Sequence, residues 1–148
     1  MAVKPIPDGY HSVTPYLVVQ GAAKLIEFLK KAFGAEEVFP PMKGPDGAIM
    51  HAELRIGDSI VMMGDAGSGG QFPPTLSMIH LYVNDADAFY KRALQAGATS
   101  VREPADQFYG DRSGGVKDLC GNFWWIATHK EDVSPEELAR RAAAQRNQ

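Results

Sequence analysis

The chain is poor in the features that mark most special classes of protein. It has a single cysteine, Cys120, so no internal disulfide is available and a stapled secreted scaffold is excluded. Its formal charge is −3, and no dense Lys/Arg cluster offers a nucleic-acid face. Fully apolar runs stop at about five residues, as in 123–127, far short of a membrane span. The first seven residues carry two prolines and no apolar stretch of secretion-signal length, so a cytoplasmic location is expected. The charged fraction of 22% and the aromatic fraction of 9% are ordinary, so disorder is excluded for the bulk. With 148 residues, the length prior gives one domain able to bury a core. What is plentiful is glycine, 15 residues, and proline, 10, with no low-complexity run. Such a density of breakers implies many short elements.

Residues 13–19 are β-branched and aromatic and predict a strand, with Pro15 at its start or on an edge. Ala22, Leu25, Ile26, Leu29 and Phe33 have helical spacing, and Gly34 follows as a C-terminal cap. A short strand at 37–39 and a turn at 43–47 come next. Residues 49–56 alternate, placing Met50, Ala52, Leu54 and Ile56 on a core face and His51, Glu53 and Arg55 on a polar one. A Gly57-Asp58 turn leads into a strand at 59–63. Residues 64–74 read as a flexible linker. A strand at 76–83 and a helix at 85–96 follow, the helix closed by Gly97. A strand begins at 100–101, 108–115 reads as a glycine-rich loop, and strands at 116–119 and 123–128 flank the Gly121-Asn122 turn. Ser134, Pro135 and Glu137 together mark a helix start, as cap, first helical residue and capping-box partner.

The two halves match. The pattern x-x-x-Leu-x-Val occurs at 14–19 and again at 78–83. Gly34-Ala35-x-x-Val38 recurs as Gly97-Ala98-x-x-Val101, and Gly57 recurs as Gly121. Each half therefore reads β-α-β-β-β, and an internal repeat outweighs any single segment. Two such units, each with one helix for four strands, cover one sheet face and leave the other to curve around a cavity.

These residues resemble the vicinal-oxygen-chelate superfamily of glyoxalase, bleomycin-resistance and dioxygenase proteins, and within it the PhnB-like branch. The resemblance rests on 14–19, on Ile26-Glu-Phe-Leu-Lys-Lys-Ala-Phe-Gly-Ala35, on Met50-His-Ala-Glu-Leu-Arg-Ile-Gly-Asp58, on Tyr109-Gly-Asp-Arg112 with Lys117-Asp118, and on Gly121-Asn-Phe-Trp-Trp-Ile-Ala-Thr-His129. It implies an α+β fold of two paired βαβββ modules forming a curved mixed sheet around a cavity, with helices on the outer face and an added C-terminal helix. The whole chain, 1–148, is then one domain, with modules at 9–66 and 75–130 and the last helix at 134–146.

The resemblance also locates where metal-dependent relatives hold a divalent ion. Those positions are Thr14, Val61, Met78 and Trp125 here, and none supplies a strong oxygen or nitrogen donor. No metal is expected there; His51, Glu53 and His80 are the candidates for a displaced site. On an amphipathic strand, however, His51, Glu53 and Arg55 also suit a plain polar face. The expected ligand surface is Tyr16, Met62, Met78, His80, Tyr82, Phe123 and Trp125, which suits a planar or amphipathic organic molecule through stacking and sulfur–aromatic contacts. Arg112 adds a fork for a carboxylate or phosphate, or else pairs with Asp111, Asp118 or Glu103 to hold its loop. Cys120 has no basic neighbour to activate it, so thiol chemistry is not expected. The leading expectation is a small-molecule binder without a cofactor. The alternative is a metal-dependent lyase, isomerase or dioxygenase using displaced ligands. The resemblance further implies a homodimer; neither nucleic acid nor membrane is expected as a partner.

Overall fold

A computed structural model describes residues 2–67 and 72–147. The elements run β1 (Tyr16–Val19), α1 (Ala22–Phe33), β2 (Glu36–Glu37), β3 (Met42–Lys43), β4 (Ile49–Ile56), β5 (Ser59–Asp65), β6 (Met78–Tyr82), α2 (Ala86–Gln95), β7 (Thr99–Asp106), β8 (Asp111–Lys117), β9 (Phe123–His129) and α3 (Pro135–Arg146).

The second half folds as β-α-β-β-β, as its repeat predicts, and the first follows the same order with the short β3 added. The first sheet has the order β1-β5-β4-β2, with β3 also on β4, and the second has the order β6-β9-β8-β7. In both, the first strand lies parallel to the last, Tyr16 opposite Met62 in one and His80 opposite Trp125 in the other, while the other pairings are antiparallel. The helix between first and second strand is the crossover that a parallel pair requires.

The helices explain which face of each sheet is dry. The apolar stripe of α1 buries Leu25, Ile26, Phe28, Leu29 and Phe33, each contributing about 1.5–3 kcal/mol. Gly34 ends the helix in the left-handed conformation, φ 68°, which suits glycine. Phe33 packs against Phe89 of α2 and Trp124 of β9, at ring separations of 6.5 and 5.1 Å, so the two modules share one core. Leu17, Val19, Val61 and Met63 of the first sheet face it, as do Val116, Trp124 and Ile126 of the second.

Several sequence expectations shift. The first strand starts at Tyr16 rather than at residue 13. The strand expected at 37–39 is Glu36–Glu37, and the turn at 43–47 opens with the short β3. Met50, expected in the core, is half exposed, because the β3–β4 register slips beside it and Ile49 takes the buried place. Glu53, expected on a polar face, is only 7% exposed. The linker expected at 64–74 begins later: Gly64 and Asp65 complete β5, and 68–71 lie outside the described residues. The loop expected at 108–115 is largely β8. Its glycines allow close packing, since a Cβ on Gly115 would lie 2.4 Å from the Trp125 ring. The strand expected at 116–119 stops at Lys117. Glu137 is not the reciprocal capping partner: Ser134 Oγ accepts from the Glu137 N–H, but the Glu137 carboxylate binds Arg140 and Arg141. Among the described residues no helix is long and apolar enough to cross a membrane.

Candidate functional site

Strand alternation puts one set of side chains on the helix-free face of the second sheet. The rows of this face follow from the register: Met78 beside Phe123 and Lys117, His80 beside Trp125 and Gly115, Tyr82 beside Ala127 and Ser113, then Asp111 beside His129. Met78 and Tyr82 are 62% and 60% exposed. The Trp125 indole lies over Gly115, and its Nε1 donates to Met78 Sδ at 3.1 Å. The Arg102 guanidinium sits 5.4 Å from the Trp125 ring and the Lys117 ammonium 5.8 Å from the Phe123 ring. His80 and Tyr82 rings are 4.9 Å apart. The result is an apolar, aromatic and thioether surface edged by two cations.

The far end of this face is polar. Tyr82 Oη donates to Asp111 Oδ2 at 2.8 Å, and His129 Nδ1 lies 2.8 Å from Asp111 Oδ1. Asp111 is buried, and its charge raises the pKa of both partners: the Tyr82 phenol mainly through their hydrogen bond, and His129 through hydrogen bonds to Asp111 and then Asp132. Sequence reasoning missed Asp111, His129, Arg102 and Lys117. The alternation from Trp125 along β9 carries a signal for His129, but the partners depend on the register of β8.

The equivalent face of the first sheet holds Tyr16, Met62, His51 and Glu53. Tyr16 Oη lies 3.0 Å from His51 Nδ1, His51 Nε2 lies 2.7 Å from Glu53 Oε2, and Tyr10 Oη donates to Glu53 Oε1. A carboxylate accepts, so in a neutral His51 the Nε2–H donates to Glu53 and Nδ1 accepts from the Tyr16 hydroxyl. Burial raises the Tyr16 phenol, with the Glu53 charge adding to it.

Arg112 is not part of either face. It lies on the helix side of β8 and grips Asp87 of α2 through two hydrogen bonds of 2.7 and 3.0 Å, with a third to Asp106 at 3.3 Å. It therefore holds the sheet to its helix, as the second sequence reading supposed, but through partners other than Asp111, Asp118 or Glu103. Burial pushes the Cys120 thiol up to about 11, with Asp118 adding to the effect, so a thiolate nucleophile is disfavoured.

The family metal does not fit these residues. Val61 turns into the core, and β5 presents Met62 in its place. Thr14, Met62, Met78 and Trp125 would offer one hydroxyl, two thioethers and an indole, a poor donor set for a hard or borderline cation. His51 and Glu53 are bonded to each other, while His80 stands on the other sheet. Among the described residues no three His, Cys, Asp or Glu side chains converge as a ligand set.

A sequence profile of the Glyoxalase/Bleomycin resistance protein/Dioxygenase superfamily matches residues 9–126. The chain is 39% identical over 143 residues to the uncharacterized proteins Mb0911c of Mycobacterium bovis and Rv0887c of Mycobacterium tuberculosis. These alignments cover 90% of this chain and 93% and 84% of the relatives. Its fold is similar to that of TioX from Micromonospora sp. ML1, with TM-score 0.68 and 27% identity over 80% of this chain and 98% of that one. It is also similar to the Arabidopsis thaliana gene product AT5G48480, with TM-score 0.64 and 26% identity over 79% and 98%. The profile and the fold agree with the βαβββ repeat, and the chain belongs to the glyoxalase/bleomycin resistance protein/dioxygenase superfamily.

Proposed function

We propose that the protein binds a small planar or amphipathic organic molecule without the family metal, as a homodimeric, cytoplasmic, PhnB-like member of its superfamily. The observation that carries this is the helix-free face of the second sheet, where Met78, His80, Tyr82, Phe123 and Trp125 stand together without a core to bury them. Exposed aromatic area of this kind is a binding feature more than a folding one. Arg102 and Lys117 at its edge favour a ligand that carries an anionic group beside its apolar body.

The probe is 8-anilinonaphthalene-1-sulfonate, a planar anion, followed by its own fluorescence. Trp125→Ala is expected to weaken its binding by about tenfold or more, a loss of about 1.4 kcal/mol, while Met42→Ala, on β3, leaves it unchanged. Equal binding by wild type and Trp125→Ala overturns the assignment. Purified protein is further expected to carry no stoichiometric metal and to melt at the same temperature with added Ni²⁺, Zn²⁺, Mn²⁺ or Fe²⁺. A stoichiometric metal lost in His80→Ala overturns the metal-free reading in favour of the lyase or dioxygenase alternative.

A further inference from the structure

The segment before β1 lies on the helix-free face of the first sheet. Pro5, Ile6, Pro7 and Tyr10 line a cavity of about 390 Å³ there with Glu53 and Met62. The segment is loosely held: residues 2–9 and 11–13 are exposed, and only Tyr10 among residues 2–13 is half buried. Lys4 pairs with Asp8 inside the segment, and outside it His11 touches Ser59 at 3.4 Å. The Tyr10–Glu53 hydrogen bond is its main anchor on the sheet.

We propose that Tyr10 is a built-in occupant of a second binding site, whose external ligand is a neutral hydroxyaromatic molecule that displaces the Tyr10 phenol from Glu53. Three observations carry this. First, Glu53 is 7% exposed and, among the described residues, pairs with no Lys or Arg. Such a carboxylate demands hydrogen-bond donors. His51 supplies one, and the second place is filled by a phenol hydroxyl from a detachable segment. Second, the surroundings suit a ring. Met62 of β5 forms a wall that does not depend on the segment, and the His51 ring beside Glu53 is flanked by Phe39 at 6.2 Å and Tyr16 at 5.5 Å. Third, the place suits a neutral donor better than an ammonium. His51 occupies Glu53 Oε2, and the remaining Oε1 satisfies the single O–H of a phenol but only one of the three N–H groups of an ammonium, whose charge is costly to bury. This site is on the opposite module from Trp125 and stands independently of the reading proposed above.

The test is calorimetric titration of the full chain with p-cresol, with 4-methylanisole as the ring lacking a donor and 4-methylbenzylamine as the cationic analogue. Tyr10→Ala alters an exposed segment rather than the core and is expected to bind p-cresol about tenfold or more tighter than wild type. No gain is expected for 4-methylanisole or 4-methylbenzylamine, and Glu53→Gln added to Tyr10→Ala is expected to remove the p-cresol gain. The proposal is overturned if Tyr10→Ala gains nothing, if 4-methylanisole gains equally, or if 4-methylbenzylamine gains more. Should the double variant fail to fold, the comparison of the three probes on Tyr10→Ala decides alone. Repeating the p-cresol series in Trp125→Ala separates the two sites: the gain persists there even where anilinonaphthalene sulfonate binding is lost.

Discussion

At the scale of single residues, Asp118 does work that its position in a turn conceals. Its Oδ1 accepts from the Cys120 and Asn122 N–H groups at 2.8 and 3.0 Å, and its Oδ2 accepts from Trp124 Nε1 at 2.8 Å. Trp124 has no exposed surface and sits where the two modules share their core. Asp118→Ala leaves that indole N–H without a partner, and an orphaned buried donor costs about 1–3 kcal/mol. The expected outcome is a loss of about 2–4 kcal/mol once the two turn bonds are included, read from urea unfolding. A change below about 0.5 kcal/mol would show the carboxylate to be dispensable. Gly115 is the second such position. A methyl there meets three Trp125 ring atoms between 2.4 and 2.9 Å, so the indole must move. Gly115→Ala is expected to cost about 1–3 kcal/mol and also to weaken anilinonaphthalene sulfonate binding, whereas a merely destabilised protein would keep its affinity below its melting temperature. Neither role is visible from spacing alone. Glycine at 115 looks like loop chemistry until the pairing with Trp125 is known, and the partner of a lone Asp is a matter of three dimensions.

At the scale of elements, Asp65 ties three segments that are remote in sequence. One carboxylate oxygen accepts from Gly21 and Ala22 at the start of α1, at 3.0 and 2.8 Å. The other accepts from Ile49 N–H at the start of β4, at 2.8 Å. Gly21 has no side chain to cap α1, so Asp65 replaces the usual local cap from across the module. Asp65→Ala is expected to lower stability by about 1–2 kcal/mol, with faster hydrogen exchange at Gly21, Ala22 and Ile49 together. Exchange rising at only one of these places would show that the three contacts are not one joint. The long elements were legible because a single period governed each. Ala22–Phe33 emerges intact from helical spacing, and Ile49–Ile56 from alternation. Alternation also sends Trp124 into the core when Trp125 stands on the open face, because neighbouring strand residues must face opposite ways. Asp65 reads as part of a linker from sequence because its glycine-rich surroundings outweigh a short run with no period of its own. Arg112 follows a related logic: a loop at 108–115 gives its side chain no direction, and only the β8 register turns it toward Asp87.

At the scale of the whole molecule, the repeat gave the architecture while chemistry has diverged between its copies. Tyr16 and His80 occupy matching places opposite Met62 and Trp125, yet one face carries a covered carboxylate and the other an open aromatic wall. The polar end of the second face also couples strands to the segment that leads into α3. His129 Nδ1 lies 2.8 Å from Asp111 of β8, and Nε2 lies 2.7 Å from Asp132 beyond β9. Both carboxylates favour the protonated imidazole, so the folded pKa of His129 lies above its unfolded value of about 6.5. A raised folded value means that the native state binds the extra proton more tightly than the unfolded chain does. The stabilisation is therefore complete below about pH 6.5 and disappears as pH rises through the folded-state value. The prediction concerns the difference in melting temperature between wild type and His129→Gln. It is expected to be largest between about pH 5 and 6.5 and to shrink steadily on the alkaline side. The imidazole titration followed by NMR should place its midpoint where that shrinkage occurs. A difference that stays constant from about pH 5 to about pH 9, or one that grows with pH, would mean that His129 holds this end of the molecule by packing and not by charge. Asp111→Asn discriminates further. It removes the largest cause of the shift while retaining a hydrogen-bond acceptor, so the His129 midpoint should fall towards its unfolded value even though the side chain stays in place.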